Sequence, residues 1–183
     1  MIVYISGGCK NGKSTIAENI ASNLKQKSLP FYYIATMKPV DKEDEIRIKN
    51  HKKSRQHLGF ETIEILENIK NLENMCNING TFLIDSTTAL LANEMFKNNN
   101  INLDAYKKVC EDIVYIIKKL KNVVIVSDYI YSDCINYDNV TNVYKKGLAF
   151  IDKNCAKEAD VLIEVCYNNI IIHKGKERFK KIC

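Results

Sequence analysis

The sequence lacks several features that would place the protein outside the common globular class. It has no long block of like charge, no uninterrupted apolar run of about 18 residues, and no basic N-terminal segment followed by a cleavage site. A disordered tail, a membrane span and a secretory signal are therefore not expected. We expect a cytoplasmic protein.

The cysteines lack the spacing of a metal site or a disulfide framework. There are seven of them, an odd number, and they form no C-x-x-C pair and have no histidine partners at zinc spacing. This pattern is typical of free thiols in a reducing compartment.

Basic clusters are also missing, because the lysines behind the formal net charge of +5 are spread along the chain. Nucleic-acid binding usually needs basic residues gathered on one face together with stacking aromatics, so no nucleic-acid partner is expected. A small anionic ligand such as a nucleotide suits this charge. With 183 residues, no internal repeat and no linker, the chain is expected to form one domain over residues 1–183.

Short apolar segments alternate with segments of helical periodicity. The predicted strands are 2–5, 31–35, 61–65, 81–84, 123–126, 161–165 and 170–173, and the predicted helices are 14–24, 41–54, 90–96, 106–120 and 144–159. The last two strands are expected to form a hairpin through Asn168-Asn169. This order predicts an α/β fold with a mostly parallel sheet, helices on both faces and a C-terminal hairpin strand. Ligands of such folds bind at the carboxyl ends of the strands. Tyr33, inside a predicted strand, is expected to pack in the core.

The segment from Gly7 to Ser14 completes the pattern G-x-x-x-x-G-K-[ST] directly after a strand and at the start of a helix. Glycines let the backbone N–H groups surround phosphate oxygens, and the helix N-terminus adds partial positive charge. Lys13 would then reach the terminal phosphates, and Ser14 would be a ligand of Mg2+. A glycine turn followed by Lys-Ser by chance is the alternative, which the flanking elements disfavour. The predicted nucleotide-binding residues of this segment are Gly7, Gly8, Cys9, Lys10, Asn11, Gly12, Lys13, Ser14 and Thr15. We therefore predict a P-loop NTPase-like fold.

Asp85 follows the apolar strand 81–84. A carboxylate at this position faces the phosphate loop and can hold the hydration shell of Mg2+, as the Walker-B carboxylate does. An aspartate after a strand can also be a simple turn residue. The upstream P-loop favours the metal role.

Arg47, His51 and Arg55 are spaced four residues apart, which places them on one face of a helix. A neutral imidazole between two guanidiniums suits a covalent phosphohistidine or nucleotidyl-histidine intermediate. A solvated basic helix face is the alternative, and the spacing alone favours it.

Taken together, these motifs resemble the bifunctional adenosylcobinamide kinase / adenosylcobinamide-phosphate guanylyltransferase family of cobalamin biosynthesis. The matching segments are Gly7 to Ser14, Tyr33-Ile34-Ala35-Thr36, Arg47-Ile48-Lys49-Asn50-His51 with Arg55, Thr62-Ile63-Glu64, and Leu83-Ile84-Asp85-Ser86 with Thr88 and Asn93. They cover about the first half of the chain in the family's order.

The resemblance implies that His51 takes GMP from GTP and passes it to adenosylcobinamide phosphate, and that Lys13 serves the kinase reaction. It also implies Mg2+, GTP and/or ATP as substrates, a corrinoid substrate, and a homo-oligomer, a trimer. The further nucleotide-binding residues that it implies are Ala35, Thr36, Met37, Lys52, Lys53, Ser54, Arg55, Glu64 and Asp85.

The second half of the chain departs from the family pattern. Asp128-Tyr129-Ile130-Tyr131 stands where the family has Asn-Glu-Val-Gly, Asn142 to Lys146 replaces an arginine-rich stretch, and Asp152-Lys153 replaces Asn-Gln. A diverged relative with one activity, or a nucleotide-binding regulator without turnover, are therefore the alternatives to the bifunctional enzyme. A small GTPase is disfavoured because the guanine motif Asn-Lys-x-Asp is absent from the sequence.

Overall fold

The computed structural model describes residues 1–182, apart from the side chains of Arg47 and Ser54. The strands are β1 (Ile2–Gly7), β2 (Phe31–Ala35), β3 (Glu61–Glu64), β4 (Thr81–Asp85), β5 (Asn122–Asp128), β6 (Val161–Cys166) and β7 (Asn169–Lys174). The helices are α1 (Lys13–Leu24), α2 (Lys42–Ser54), α3 (Leu72–Met75), α4 (Thr87–Met95), α5 (Ala105–Lys119), α6 (Asn139–Glu158) and α7 (Lys176–Phe179).

The seven strands form one sheet in the order β3-β2-β4-β5-β1-β6-β7. All neighbouring pairs are parallel except β6 and β7, which form an antiparallel hairpin. The predicted α/β fold, with a mostly parallel sheet and a C-terminal hairpin strand, is confirmed. Because β1 lies centrally between β5 and β6, the loop that follows β1 emerges at the middle of the carboxyl edge of the sheet.

The side chains of the central strands alternate between two buried layers, since successive residues of a strand point to opposite faces. Tyr4 and Phe82 pack against α4, α5 and α6 on one face. Val3 and Ile5 pack against α1 on the other. The helices therefore cover both faces, as predicted.

Several element boundaries differ from the predicted ones because side chains cap the helices. Helix α4 begins at Thr87, three residues early, since Ser86 Oγ accepts a hydrogen bond from Ala89 N. Helix α6 begins at Asn139 for the same reason, with Asp138 as its cap.

The hairpin and β5 also differ. The hairpin turn lies at Tyr167-Asn168, both with positive φ, so the prediction of Asn168-Asn169 was wrong by one residue. Strand β5 runs two residues past Val126 and ends at Asp128.

In the described part of the chain, no helix is both long and apolar enough to cross a membrane.

Candidate active site

A cleft of about 960 Å³ opens at the carboxyl ends of the parallel strands, where ligands of open α/β sheets bind. Its walls include the loop after β1, helix α2 and the ends of β2, β4 and β5. The residues predicted from the sequence that line it are Cys9, Lys10, Asn11, Gly12, Lys13, Ser14, Thr15, Ala35, Met37, His51, Lys52, Arg55, Glu64 and Asp85.

The loop from Gly7 to Gly12 turns sharply into α1. Gly12 has φ of 79°, in the left-handed region, and a Cβ there would lie 2.3 Å from Asn168 Oδ1. This close approach and this backbone conformation both require glycine. The turn leaves the N-terminus of α1 facing the cleft, where its N–H groups can bind an anion.

Lys13 is held at the floor of this loop by two oxygen partners. Its side chain is only 6% exposed, and Nζ donates to Gly8 O at 2.6 Å and lies 2.8 Å from Asp128 Oδ1. A buried ammonium needs such partners, because an unpaired buried charge is costly. Lys13 therefore presents a paired cation to the place where phosphates would lie.

Asp128 is a site residue that the sequence analysis missed. The predicted strand stopped at Val126, so Asp128 counted only as a departure from the family pattern. A signal was present, since Asp128 ends an apolar strand as Asp85 does.

Asp85 is held beside the phosphate loop by two hydroxyl groups. Its Oδ2 accepts from Tyr33 OH at 2.8 Å and from Ser14 Oγ at 3.2 Å. Burial and the neighbouring Asp85 raise the pKa of Tyr33, so its hydroxyl stays protonated and donates. The position of Tyr33 in a strand suggested only core packing, but its hydroxyl also holds Asp85 in place.

The oxygen atoms of Ser14 and Asp85 suit Mg2+, which prefers oxygen ligands and usually keeps several waters. No group of three or more His, Cys, Asp or Glu side chains that could hold a metal occurs among the described residues. A metal at this place would therefore depend on phosphate oxygens for part of its coordination, which is the usual arrangement for Mg2+ in nucleotide sites.

Helix α2 places His51 and Arg55 on the cleft wall. His51 is half-buried, and its carbonyl accepts the backbone N–H of Arg55 at 3.3 Å. The Arg55 guanidinium lies 3.5 Å from the centroid of the Tyr33 ring, and Arg55 is only 5% exposed. Arg55 is thus anchored under α2, not on a solvated helix face. The side chain of Arg47 lies outside the described residues.

Lys52 and Glu64 form an ion pair of 2.6 Å at the mouth of the cleft. Both side chains are well exposed, and such pairs contribute about 0–1 kcal/mol. A ligand can therefore displace this pair at little cost.

Thr88 and Tyr144 close the cleft on the side of α4 and α6. Thr88 Oγ1 accepts the backbone N–H of Asp128 at 2.9 Å, and Tyr144 OH donates to Thr88 O at 2.9 Å. Burial and Asp128 raise the pKa of Tyr144 to about 12, so Tyr144 is a neutral donor.

Some predicted residues lie away from the cleft lining. Thr36 is fully buried, and its Oγ1 bonds the backbone of Ser86 at 2.8 Å and 2.7 Å, which joins the ends of β2 and β4. Gly7 and Gly8 shape the loop without lining the cleft, and Lys53 is exposed outside it. The predicted Ser54 contact falls on a side chain outside the described residues.

A comparison with family models matches residues 3–168 to the family described as cobinamide kinase / cobinamide phosphate guanyltransferase. No curated protein matches the chain.

Solved structures share the fold at low identity. One of them, an ATPase domain, is 13% identical with a TM-score of 0.53, covering 96% of this chain and 77% of that one. A protein of Pyrococcus horikoshii OT3 is 11% identical with a TM-score of 0.52, covering 94% of this chain and 85% of that one. At these identities the likeness shows the fold alone, that of a P-loop NTPase.

Proposed function

Because the chain belongs to the cobinamide kinase / cobinamide phosphate guanyltransferase family, we propose that it catalyses two successive reactions. It phosphorylates adenosylcobinamide with ATP or GTP. It then transfers GMP from a second GTP to adenosylcobinamide phosphate through a guanylyl group on His51, which gives adenosylcobinamide-GDP. The observation that carries this proposal is that the phosphate loop and His51 line one cleft.

In the kinase reaction, the acceptor hydroxyl oxygen attacks the γ-phosphorus while the bond to the β,γ-bridging oxygen breaks, and the hydroxyl proton is released to water. Lys13 and the N–H groups at the start of α1 stabilise the charge that develops on the phosphoryl oxygens. Mg2+ held by Ser14 and Asp85 would neutralise further phosphate charge. Tyr33 keeps the Asp85 carboxylate oriented toward this place.

In the guanylyl transfer, an imidazole nitrogen of His51 attacks the α-phosphorus of GTP. The bond to pyrophosphate breaks and a phosphoramidate forms. A phosphate oxygen of adenosylcobinamide phosphate then attacks the same phosphorus, and the imidazole leaves. Arg55, anchored by Tyr33 at the end of α2, fixes the position of the helix that carries His51.

Glu64 is proposed to accept hydrogen bonds from the N–H edge of guanine once Lys52 has moved aside. Ala35 and Met37, at the end of β2, would lie beside the nucleotide. From the family resemblance we also propose further contacts at Lys53 and Ser54 and a homotrimer. The free-thiol pattern of the cysteines supports a cytoplasmic location.

Labelling with GTP carrying a radioactive α-phosphate tests the histidine intermediate. Wild-type protein should form an acid-labile, base-stable adduct, and His51→Ala should form none. His57→Ala is the matched control, since His57 is exposed and lies outside the cleft lining. Wild-type protein that binds GTP by calorimetry and never labels would refute the guanylyltransferase reaction.

A further inference from the structure

A second cavity, of about 380 Å³, lies beside α6 on the face of the sheet opposite α1. The loop after β5 and the strands β1, β6 and β7 form its other walls. Its lining residues are Tyr4, Ser6, Tyr129, Tyr131, Ala149, Asp152, Lys153, Ala156, Leu162, Ile163, Glu164 and His173.

Several of the residues that depart from the family pattern meet in this cavity. Tyr129 and Tyr131, from the segment after β5, and Asp152 and Lys153, from α6, all line it. The two segments also contact each other directly, since Tyr131 OH donates to Asp152 Oδ2 at 3.0 Å. Two of the three departing segments thus meet in one environment, while Asp128 and Tyr144 line the cleft.

Asp152 is the polar centre of the cavity. It is 5% exposed, and Oδ1 accepts from Tyr4 OH at 2.5 Å and from Ser127 Oγ at 2.8 Å. With the bond from Tyr131, three of about four acceptor sites of the carboxylate are used. Burial raises the pKa of Tyr131, so its hydroxyl remains a donor. One acceptor site of Asp152 is left over.

Ser6 supplies a second unused polar group. Its Oγ is buried and has no hydrogen-bond partner among the described residues. Ser6 lies opposite Ser127 in the register of β1 and β5, on the same face as the Asp152 network. Buried polar atoms usually have partners, so the unpartnered hydroxyl of a residue that lines the cavity points to a ligand that meets it once the side chain turns to another staggered rotamer.

Of the remaining wall residues, Lys153 carries a charge on an exposed side chain, and the others are uncharged or already paired. Tyr129 and Tyr131 form an edge-to-face pair with ring centroids 4.7 Å apart, and Leu162 adds aliphatic surface. Glu164 is paired with His173 at 2.7 Å. Apart from the exposed Lys153, the cavity is lined by neutral or paired groups, so it suits a neutral group with one N–H donor and one carbonyl acceptor on an apolar stem, which describes a primary carboxamide.

The cavity adjoins the phosphate loop. Ser6 directly precedes the phosphate loop, and Ser127 directly precedes Asp128, which lines the cleft. Tyr144 of the cleft and Asp152 of the cavity are eight residues apart on α6, which is about 12 Å along the helix. One large acceptor can therefore occupy both places at once.

We propose that this cavity binds a peripheral carboxamide side chain of the corrinoid acceptor, with an amide N–H donating to Asp152 and the amide carbonyl accepting from Ser6 Oγ. The inference rests on the proposed function, because cobinamide carries several such carboxamide arms around its ring. The segments around Tyr131 and Asp152, which depart from the family pattern, then determine which acceptor binds, while the cleft binds the nucleotide.

Steady-state kinase assays with cobinamide test this assignment. Ser6→Ala removes no hydrogen bond among the described residues, so it should fold normally. It should raise the KM for cobinamide about tenfold while the affinity for nucleotide stays at the wild-type value. Asp112→Asn, a carboxylate change on α5 outside both cavities, is the control and should leave both constants unchanged.

Cobinamide derivatives with one carboxamide hydrolysed to a carboxylate give a second readout. Wild-type enzyme should discriminate against the isomer whose carboxylate would face Asp152, because like charges repel. Asp152→Asn should reduce the difference between the isomers. If Asp152 had only a structural role, this difference would not change. Unchanged KM in folded Ser6→Ala together with equal use of all isomers would overturn the carboxamide site and leave the kinase function standing. Absence of any cobinamide phosphorylation by wild-type enzyme would instead overturn the proposed function.

Discussion

Replacing Asp128 by asparagine should strengthen nucleotide binding. The Asp128 carboxylate lies 2.8 Å from Lys13 Nζ, and the side chains of Asp128 and Lys13 are 29% and 6% exposed. Phosphates that bind to Lys13 must compete with this carboxylate and also approach its negative charge. Asparagine keeps the shape and a neutral acceptor but removes the charge.

The size of the effect follows from the burial of the pair. Exposed ion pairs contribute about 0–1 kcal/mol, and hydrogen bonds to charged groups about 1.5–3 kcal/mol. This half-buried pair lies between these ranges, so we expect about 1–2 kcal/mol. That corresponds to a decrease in the Kd for nucleotide of about 5- to 30-fold.

Calorimetric titration with a non-hydrolysable GTP analogue and Mg2+ measures this effect. Asp133→Asn is the control, because Asp133 pairs with Lys145 at 2.5 Å on a loop outside the cleft lining and should leave the Kd unchanged. An unchanged or larger Kd in a folded Asp128→Asn protein would show that Asp128 does not compete with phosphate, and would refute this reasoning.

Two further predictions concern stability. Glu94 accepts hydrogen bonds from Asn68 N at 2.8 Å and Lys108 Nζ at 2.6 Å, and these bonds outweigh burial and hold its pKa below the usual 4.5. Because the pKa is lowered in the folded state, the ionised Glu94 stabilises the fold above a pH of about 4.5. Glu94→Gln should therefore lower the free energy of unfolding in urea by about 1–2 kcal/mol at pH 7, and this loss should vanish as the pH falls through the folded pKa. A loss that persists in acid would contradict this explanation. Gly147→Ala would place a Cβ 2.7 Å from Tyr106 Cβ. This crowding should outweigh the higher helix propensity of alanine and lower the Tm by a few degrees. A raised Tm would show that the Tyr106 side chain moves to make room.

The strands and the phosphate loop could be predicted because their signals are local, whereas only half of the cleft lining was predicted, partly through the family resemblance. Apolar β-branched runs define β1 and β5, and the glycine pattern between β1 and α1 has few structural alternatives. Polar helix α2 was also predictable, since Asp41 caps it and its lysine and glutamate side chains are exposed.

Contacts between distant segments could not be predicted in the same way. The stacking of Arg55 on Tyr33 joins residues 22 positions apart, and no sequence spacing indicates it. Thr36 lies next to the nucleotide segment in sequence, but the paired ends of β2 and β4 bury it. The cavity at Asp152 depends on how the loop after β5 folds back onto α6.

A single-turnover chase tests the central claim most directly. Protein labelled with radioactive GMP from GTP is freed of nucleotide and mixed with adenosylcobinamide phosphate. The account predicts that the label leaves His51 and appears in adenosylcobinamide-GDP at least as fast as steady-state turnover. Label that stays on the protein while product forms from added GTP would contradict it.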